Sequence, residues 1–282
     1  MKKFQSMFIL LIALSVISTT SCGQAHAARD SERKLTINGI ERSYLLHIPP
    51  GLDTSRPAPL LLAFHGAGDD PAEMQLLTGF NEMADKSNFF LVYPVGIGQS
   101  WNAGGNCCGE ALSKNIDETA FVRQILTDLE TVVQVDAKRI YATGFSNGGA
   151  LVDRLACEMP DVLAAVASVA GILAYSPCQP QQPVSVMHIH GLADLILPYK
   201  GGGAYKIRPV EEIMSGWAEL NGCGGSPTVD QPLKTIKHIA YTSCQAGTAV
   251  ELYAVAGAGH SWPNVWDTSQ VIWDFFVAHP KS

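Results

Sequence analysis

Charge is scarce in this chain, and positive charge scarcest: 16% of the 282 residues are charged, with 19 Lys and Arg against 26 Asp and Glu. The resulting net charge of −7 comes with no basic cluster, which argues against nucleic acid as a partner. No segment reads as transmembrane, since the leading apolar run, Met7 to Ile17 broken only by Ser15, is shorter than the roughly 20 residues a spanning helix needs. Paired CxxC motifs and clustered histidines are missing too, so no metal site is expected. Internal repeats, low-complexity runs and linker-like stretches are also lacking after the leader. What remains is a chain with 47% hydrophobic residues, enough for one large buried core.

The leader itself has a processing pattern. Lys2-Lys3 forms a positive start and the apolar run follows, which predicts an export signal over residues 1–27 and a single folded domain over 28–282. Two exits compete. Ala25-His26-Ala27 is a small-x-small cleavage site giving a mature start at Ala28 and a soluble exported protein. Thr19-Thr20-Ser21-Cys22 reads as a lipoprotein site with a lipid anchor at Cys22. Cys22 leaves or is modified on either route, so six cysteines remain, an even number that in an exported protein suggests disulfides. Cys223 and Cys244 bracket a loop and a strand, and Cys157 and Cys178 flank one helix-strand unit. Pairing these leaves Cys107-Cys108 as an adjacent pair.

Strand and helix patterns alternate along the rest. Lys34 to Pro49 reads as two strands around an Asn38-Gly39 turn. Pro59 to Phe64 is a continuous apolar run, a buried strand ending in His65-Gly66-Ala67-Gly68, and Phe89 to Pro94 is another. Between Glu118 and Val135 a one-sided apolar stripe predicts a helix with Asp117 as N-cap. Further strands are expected within 163–170, 184–189, 236–242 and 250–255, and helices within 211–220 and 271–278. The alternation predicts an α/β fold, a mostly parallel sheet covered by helices on both faces, with chemistry at the carboxyl ends of its strands.

One such end carries Gly144-Phe145-Ser146-Asn147-Gly148, between the strand-like Arg139 to Thr143 and a helical pattern. Glycines two residues either side permit a tight strand-to-helix turn. That turn exposes the Ser146 hydroxyl and aims the Asn147 N–H at a developing oxyanion. A serine hydroxyl needs a base. Of His188, His190, His238, His260 and His279, His260 follows a late strand and a flexible Ala256 to Gly259 run, where a Ser, Asp, His order would place it. His188 and His190 read as structural. Asp194, just past the 184–189 strand, is the expected orienting acid, ahead of Asp161 and Asp230. The second oxyanion donor is expected at the Ala67 N–H, with Gly66 and Gly68 as neighbouring options.

Six motifs in order then carry a resemblance: His65-Gly66-Ala67-Gly68, Trp101 to Gly109, Gly144 to Gly149, His190-Gly191-x-x-Asp194, Pro198-Tyr199-x-Gly201-Gly202, and Gly259-His260-Ser261-Trp262-Pro263. From about Leu35 onward the chain resembles the secreted esterases grouped with polyhydroxybutyrate depolymerases, feruloyl esterases and acetylxylan esterases (carbohydrate esterase family 1-like). The resemblance implies a single-domain α/β-hydrolase, a Ser146-Asp194-His260 triad and no cofactor. Feruloyl or acetyl esters of plant polysaccharide are its expected substrates, with hydroxyalkanoate esters as the alternative. Many polymer-degrading relatives carry a surface-binding domain that this chain lacks, which favours a soluble or oligomeric ester. Trp101 and Trp262 are expected to stack on the substrate, against a purely structural role for both. Asp117-Glu118 reads as helix capping. A serine peptidase and a non-catalytic binding protein on the same scaffold are the rival readings.

Overall fold

The computed structural model describes residues 29–105 and 108–282. The signal peptide expected over 1–27, the lipidation site at Cys22 and the Cys107 half of the Cys107–Cys108 pair lie outside the described residues. Among the described residues ten strands form one sheet: β1 (Arg29–Ile37), β2 (Ile40–Ile48), β3 (Ala58–Phe64), β4 (Phe90–Pro94), β5 (Val135–Phe145), β6 (Ala165–Val169), β7 (Ser185–Gly191), β8 (Thr228–Leu233), β9 (Ile236–Tyr241) and β10 (Val250–Val255). Their spatial order is β1-β2-β4-β3-β5-β6-β7-β10-β9-β8. The six strands from β4 to β10 in that order run parallel. An antiparallel hairpin flanks them on each side.

Apolar runs become central strands because both faces of the sheet are covered. On β3, Leu60, Leu62 and Phe64 point into one core and Leu61 and Ala63 into the other. The first core is closed by α4 (Glu118–Leu129), α5 (Asn147–Glu158) and α6 (Val210–Leu220). The second is closed by α1 (Pro71–Thr78), α2 (Phe80–Ser87) and α7 (Thr268–Ala278). The short α3 (Gly109–Ser113) lies in the loop between β4 and α4. Each fully buried Leu or Phe contributes roughly 1.5–3 kcal/mol, so the two-sided strands are the anchor of the fold.

Local signals explain most boundaries. Asn38 and Gly39 both take positive φ, 50° and 79°, as a two-residue hairpin turn requires. The Asp70 side chain accepts from the Ala72 and Glu73 N–H groups while Glu73 accepts from the Asp70 N–H, a capping box that starts α1. The stripe read across 118–135 ends as a helix at Leu129. Beyond it the Gln134 N–H donates to Thr54 and the Ala58 N–H to Gln134, so the sheet captures this stretch and β5 begins at Val135. Disulfides join Cys157 to Cys178 and Cys223 to Cys244, and Cys108 is also disulfide-bonded. Among the described residues no helix is long and apolar enough to cross a membrane.

Candidate active site

The turn from β5 into α5 holds Ser146 at φ 53° and ψ −113°, a conformation that non-glycine residues rarely adopt and that costs on the order of 1–3 kcal/mol. Surrounding backbone bonds impose it: the Ser146 N–H donates to Val169 at 2.9 Å, and the Ala150 N–H donates to the Ser146 carbonyl at 2.9 Å. The flanking glycines follow from contact. A Cβ on Gly144 would sit 2.4 Å from the Gly148 backbone, and one on Gly148 would sit 2.3 Å from the Phe64 carbonyl oxygen. Strand, helix and the end of β3 therefore meet with no room for a side chain.

Three side chains from three strand ends converge on this turn. The Ser146 Oγ–H donates to His260 Nε2 at 2.8 Å, and His260 Nδ1–H donates to Asp194 Oδ2 at 2.8 Å. The other Asp194 oxygen, Oδ1, accepts from the Ile196 and Leu197 N–H groups at 2.9 and 2.8 Å. Burial pushes the Asp194 carboxyl up, but donation by His190, the Leu197 N–H and His260 outweighs it and holds the group below the usual carboxylate range. The acid is thus ionised beside His260, able to fix its tautomer and to stabilise imidazolium. Gly191 lets the β7 end approach the His260 loop, because a Cβ there would lie 2.3 Å from the Ala258 carbonyl oxygen.

A cavity of about 260 Å³ opens over Ser146 and His260, lined also by Gly66, Ala67, Asp69, Phe145, Ile196, Leu197 and Tyr205. Ala67, expected as an oxyanion donor, is at its wall. Its loop is held from behind: buried His65 donates Nδ1–H to the Gly66 carbonyl at 2.7 Å and accepts from the Gly96 N–H at 3.1 Å. Burial pushes His65 down, in keeping with that neutral tautomer. Asn147 serves the same loop system with its side chain, accepting from the Trp101 N–H at 2.7 Å and donating to the Trp101 carbonyl at 3.2 Å. Its backbone N–H, the other expected oxyanion donor, opens α5 directly after Ser146.

Trp101 and Trp262, expected to stack on a substrate, do not line the cavity. Trp101 is fully buried, donates Nε1–H to the His65 carbonyl at 2.8 Å and packs edge-on to Phe64. It braces the His65 loop against the serine turn. Trp262 is buried edge-on to Phe80 in the second core. The aromatic side chains at the cavity are Phe145 and Tyr205. The rival acids and bases are occupied: Asp161 pairs with Arg123, His238 lies between Asp230 and Glu251, and His279 contacts the Phe275 carbonyl. Glu118 does more than open α4. It is buried, binds Arg42 at 3.0 Å and accepts from the Asn102 N–H at 3.1 Å, so it fixes the loop carrying Trp101.

Comparison with known proteins finds relatives of this chain. Feruloyl esterase B of Piromyces equi is 29% identical over 250 residues, covering 83% of this chain and 44% of the relative. Poly(3-hydroxyalkanoate) depolymerase C of Paucimonas lemoignei is 24% identical over 280 residues, covering 90% of this chain and 66% of the relative. The chain thus spans less than two thirds of the length of either. Among solved structures, the acetyl xylan esterase from Aspergillus awamori superposes with a TM-score of 0.62 at 15% identity, covering 88% of this chain and 99% of the other, a likeness of fold. The family model described as Esterase PHB depolymerase matches residues 42–194, a stretch that includes Ser146 and Asp194 and stops short of His260. That span exceeds half of the chain, and on it this α/β-hydrolase belongs to the PHB depolymerase esterase family.

Proposed function

We propose that the protein is an exported serine carboxylic-ester hydrolase acting on feruloyl or acetyl esters of plant polysaccharide. The observation that carries the reading is the pair of 2.8 Å hydrogen bonds linking Ser146, His260 and Asp194 at the cavity floor. Ser146 Oγ attacks the ester carbonyl carbon as its proton passes to His260 Nε2, and the Ala67 and Asn147 N–H groups receive the oxyanion. The C–O bond to the alcohol then breaks, and His260 returns its proton to the departing oxygen. Water, deprotonated by His260, attacks the acyl-enzyme, and the acid leaves as Ser146 recovers its proton. None of these steps needs a cofactor.

The substrate class is supported by the names of relatives, a feruloyl esterase B and a bifunctional acetylxylan esterase/xylanase, and by the aromatic and apolar cavity wall. A second reading, 3-hydroxyalkanoate esters, is favoured by exposed Leu192, Leu195 and Ile196 beside Asp194 and by the depolymerase relative. Export fits the disulfides, which persist in oxidising compartments, and N-terminal sequencing of the exported protein separates an Ala28 start from a lipidated Cys22.

Initial rates on methyl ferulate, an acetylated xylo-oligosaccharide and a 3-hydroxybutyrate oligomer test the proposal. A preference of about tenfold, worth about 1.4 kcal/mol between competing transition states, is expected for one of the first two. Preference for the oligomer would transfer the assignment to the second reading. Failure of a fluorophosphonate to label Ser146 would sink both.

A further inference from the structure

The hydrogen-bonded chain does not stop at Asp194. On β7 the two-residue repeat puts His188 and His190 on the same face, both fully buried, with ring centroids 5.3 Å apart and planes 8° from parallel. His190 Nε2 lies 2.8 Å from the Leu197 carbonyl oxygen. A carbonyl can only accept, so this nitrogen carries the proton. The same Nε2 is 3.3 Å from Asp194 Oδ2, the oxygen that receives His260 Nδ1–H, and both side chains are 0% exposed. This N–H is therefore directed at the carbonyl of Leu197, whose own N–H donates to Asp194 Oδ1 at 2.8 Å, and it lies in close electrostatic contact with the oxygen facing His260.

The far side of the ring fixes this tautomer. His190 Nδ1 is 3.0 Å from His188 Nε2, and the donor there is His188 Nε2–H, because a proton on His188 Nδ1 would be a buried N–H with no acceptor among the described residues. His188 Nδ1 is left with a bare lone pair and no partner among the described residues. Burial pushes His188 well down, in keeping with a neutral ring. Other titratable groups nearby are committed elsewhere: the Tyr199 ring stands 6.0 Å from His190, while its hydroxyl donates to Glu211 at 2.9 Å. Two imidazoles on a buried strand are costly compared with Val or Ile unless their polar atoms serve a purpose. Here one N–H holds the Leu197 carbonyl, at the end of the turn that carries Asp194, and stands 3.3 Å from the carboxylate itself.

We infer that His190 is a positioning residue that holds Asp194 Oδ2 in line for His260, with His188 fixing the His190 tautomer. The role rests on Ser146, His260 and Asp194 being the catalytic groups. It goes beyond the expectation that His188 and His190 are structural filler.

The experiment uses the full chain, p-nitrophenyl acetate as probe, and His190→Leu, His190→Gln and Ser146→Ala. His190→Leu is expected to lower kcat between about 10- and 100-fold with KM within about twofold, the scale of a misplacement near 1 Å. His190→Gln, which keeps an N–H at similar reach, is expected to recover most of that loss. The low-field proton resonance of the His260–Asp194 hydrogen bond should move in the Leu variant and stay in the Gln variant. In 15N-labelled wild type His190 should be protonated at Nε2 and bare at Nδ1, which decides the matter even where a variant fails to fold. A bare Nε2 overturns the inference, because it cannot donate. So does a Leu variant with full kcat while Ser146→Ala is dead, or a kcat loss with the low-field proton unmoved and no recovery by Gln. Retained turnover in Ser146→Ala would instead overturn the triad reading, and the role of His190 with it.

Discussion

Ser146→Ala, His260→Ala and the double variant are expected to lose ester turnover to the same extent, on the order of 10⁴- to 10⁶-fold in kcat, because groups that act as one unit do not lose their contributions separately. The geometry dictates this. The Ser146 hydroxyl has His260 Nε2 as its hydrogen-bond acceptor at 2.8 Å, so a serine without that base is an ordinary alcohol at neutral pH. Asp194→Asn should cost about 10⁴-fold, since an amide aimed at His260 Nδ1 presents either a weaker acceptor or an N–H that enforces the wrong tautomer. The check is a full rate profile on one p-nitrophenyl ester, with circular dichroism to show that each variant folds. Losses that multiply in the double variant would mean that Ser146 and His260 work in separate steps. Turnover surviving in Ser146→Ala would place the nucleophile elsewhere.

Asp153→Asn is expected to raise stability above pH 7 by several kcal/mol and to leave it unchanged near pH 4. Asp153 lies two turns into the helix that begins at Ser146, is fully buried, and has neither carboxyl oxygen hydrogen-bonded among the described residues. The nearby Ser168 hydroxyl has one proton, and it goes to the Gly149 carbonyl at 3.0 Å. Burial accordingly raises the carboxyl from 3.8 to about 7. A folded value above the unfolded one means that the folded chain keeps a proton that the unfolded chain has released. Stability then falls with rising pH between about 4 and 7, and the full penalty persists above that window. Three units correspond to about 4 kcal/mol, and an asparagine in the same space avoids it. Urea unfolding of both proteins at pH 4 and pH 8 reads the difference directly. Equal stability at both pH values would mean that Asp153 stays ionised in the fold with a compensating partner.

The parts of the molecule legible beforehand share a cause. The β3 run, the Asn38-Gly39 turn and the glycines around Ser146 are each dictated by contacts that leave little choice of residue, and such positions announce themselves. His260 and Asp194 were legible through chain order, because each follows a strand of the parallel sheet. Trp101 misled because an indole beside a glycine-rich loop looks the same whether it faces solvent or the back of that loop, and here its Nε1–H turns inward to His65. Glu118 and Asp153 were opaque for a related reason. A carboxylate in a helical stripe normally marks the wet face, and only the packing of α4 and α5 against the sheet decides otherwise. Helix α1 is signalled only by Asp70-Pro71 and Glu73, and β8 carries no pattern at all, since every residue in it is exposed.

That featureless strand has a consequence for how the protein behaves in company. An open row of backbone N–H and C=O groups invites a strand from another molecule, and a six-strand apolar platform with a bare rim would be a nucleus for aggregation. At one rim β8 answers with Pro232, which has no N–H to offer, and with a register break between Asp230 and Leu233. At the other, β1 is studded with Glu32, Arg33 and Lys34, and Arg33 is tied back to Asp128 of α4 at 2.9 Å. The flanking hairpins thus act as gatekeepers for the strands between them. Proteolytic loss of β8 and β9 would uncover β10 as a sticky edge, and its first symptom would be self-association of the damaged chains.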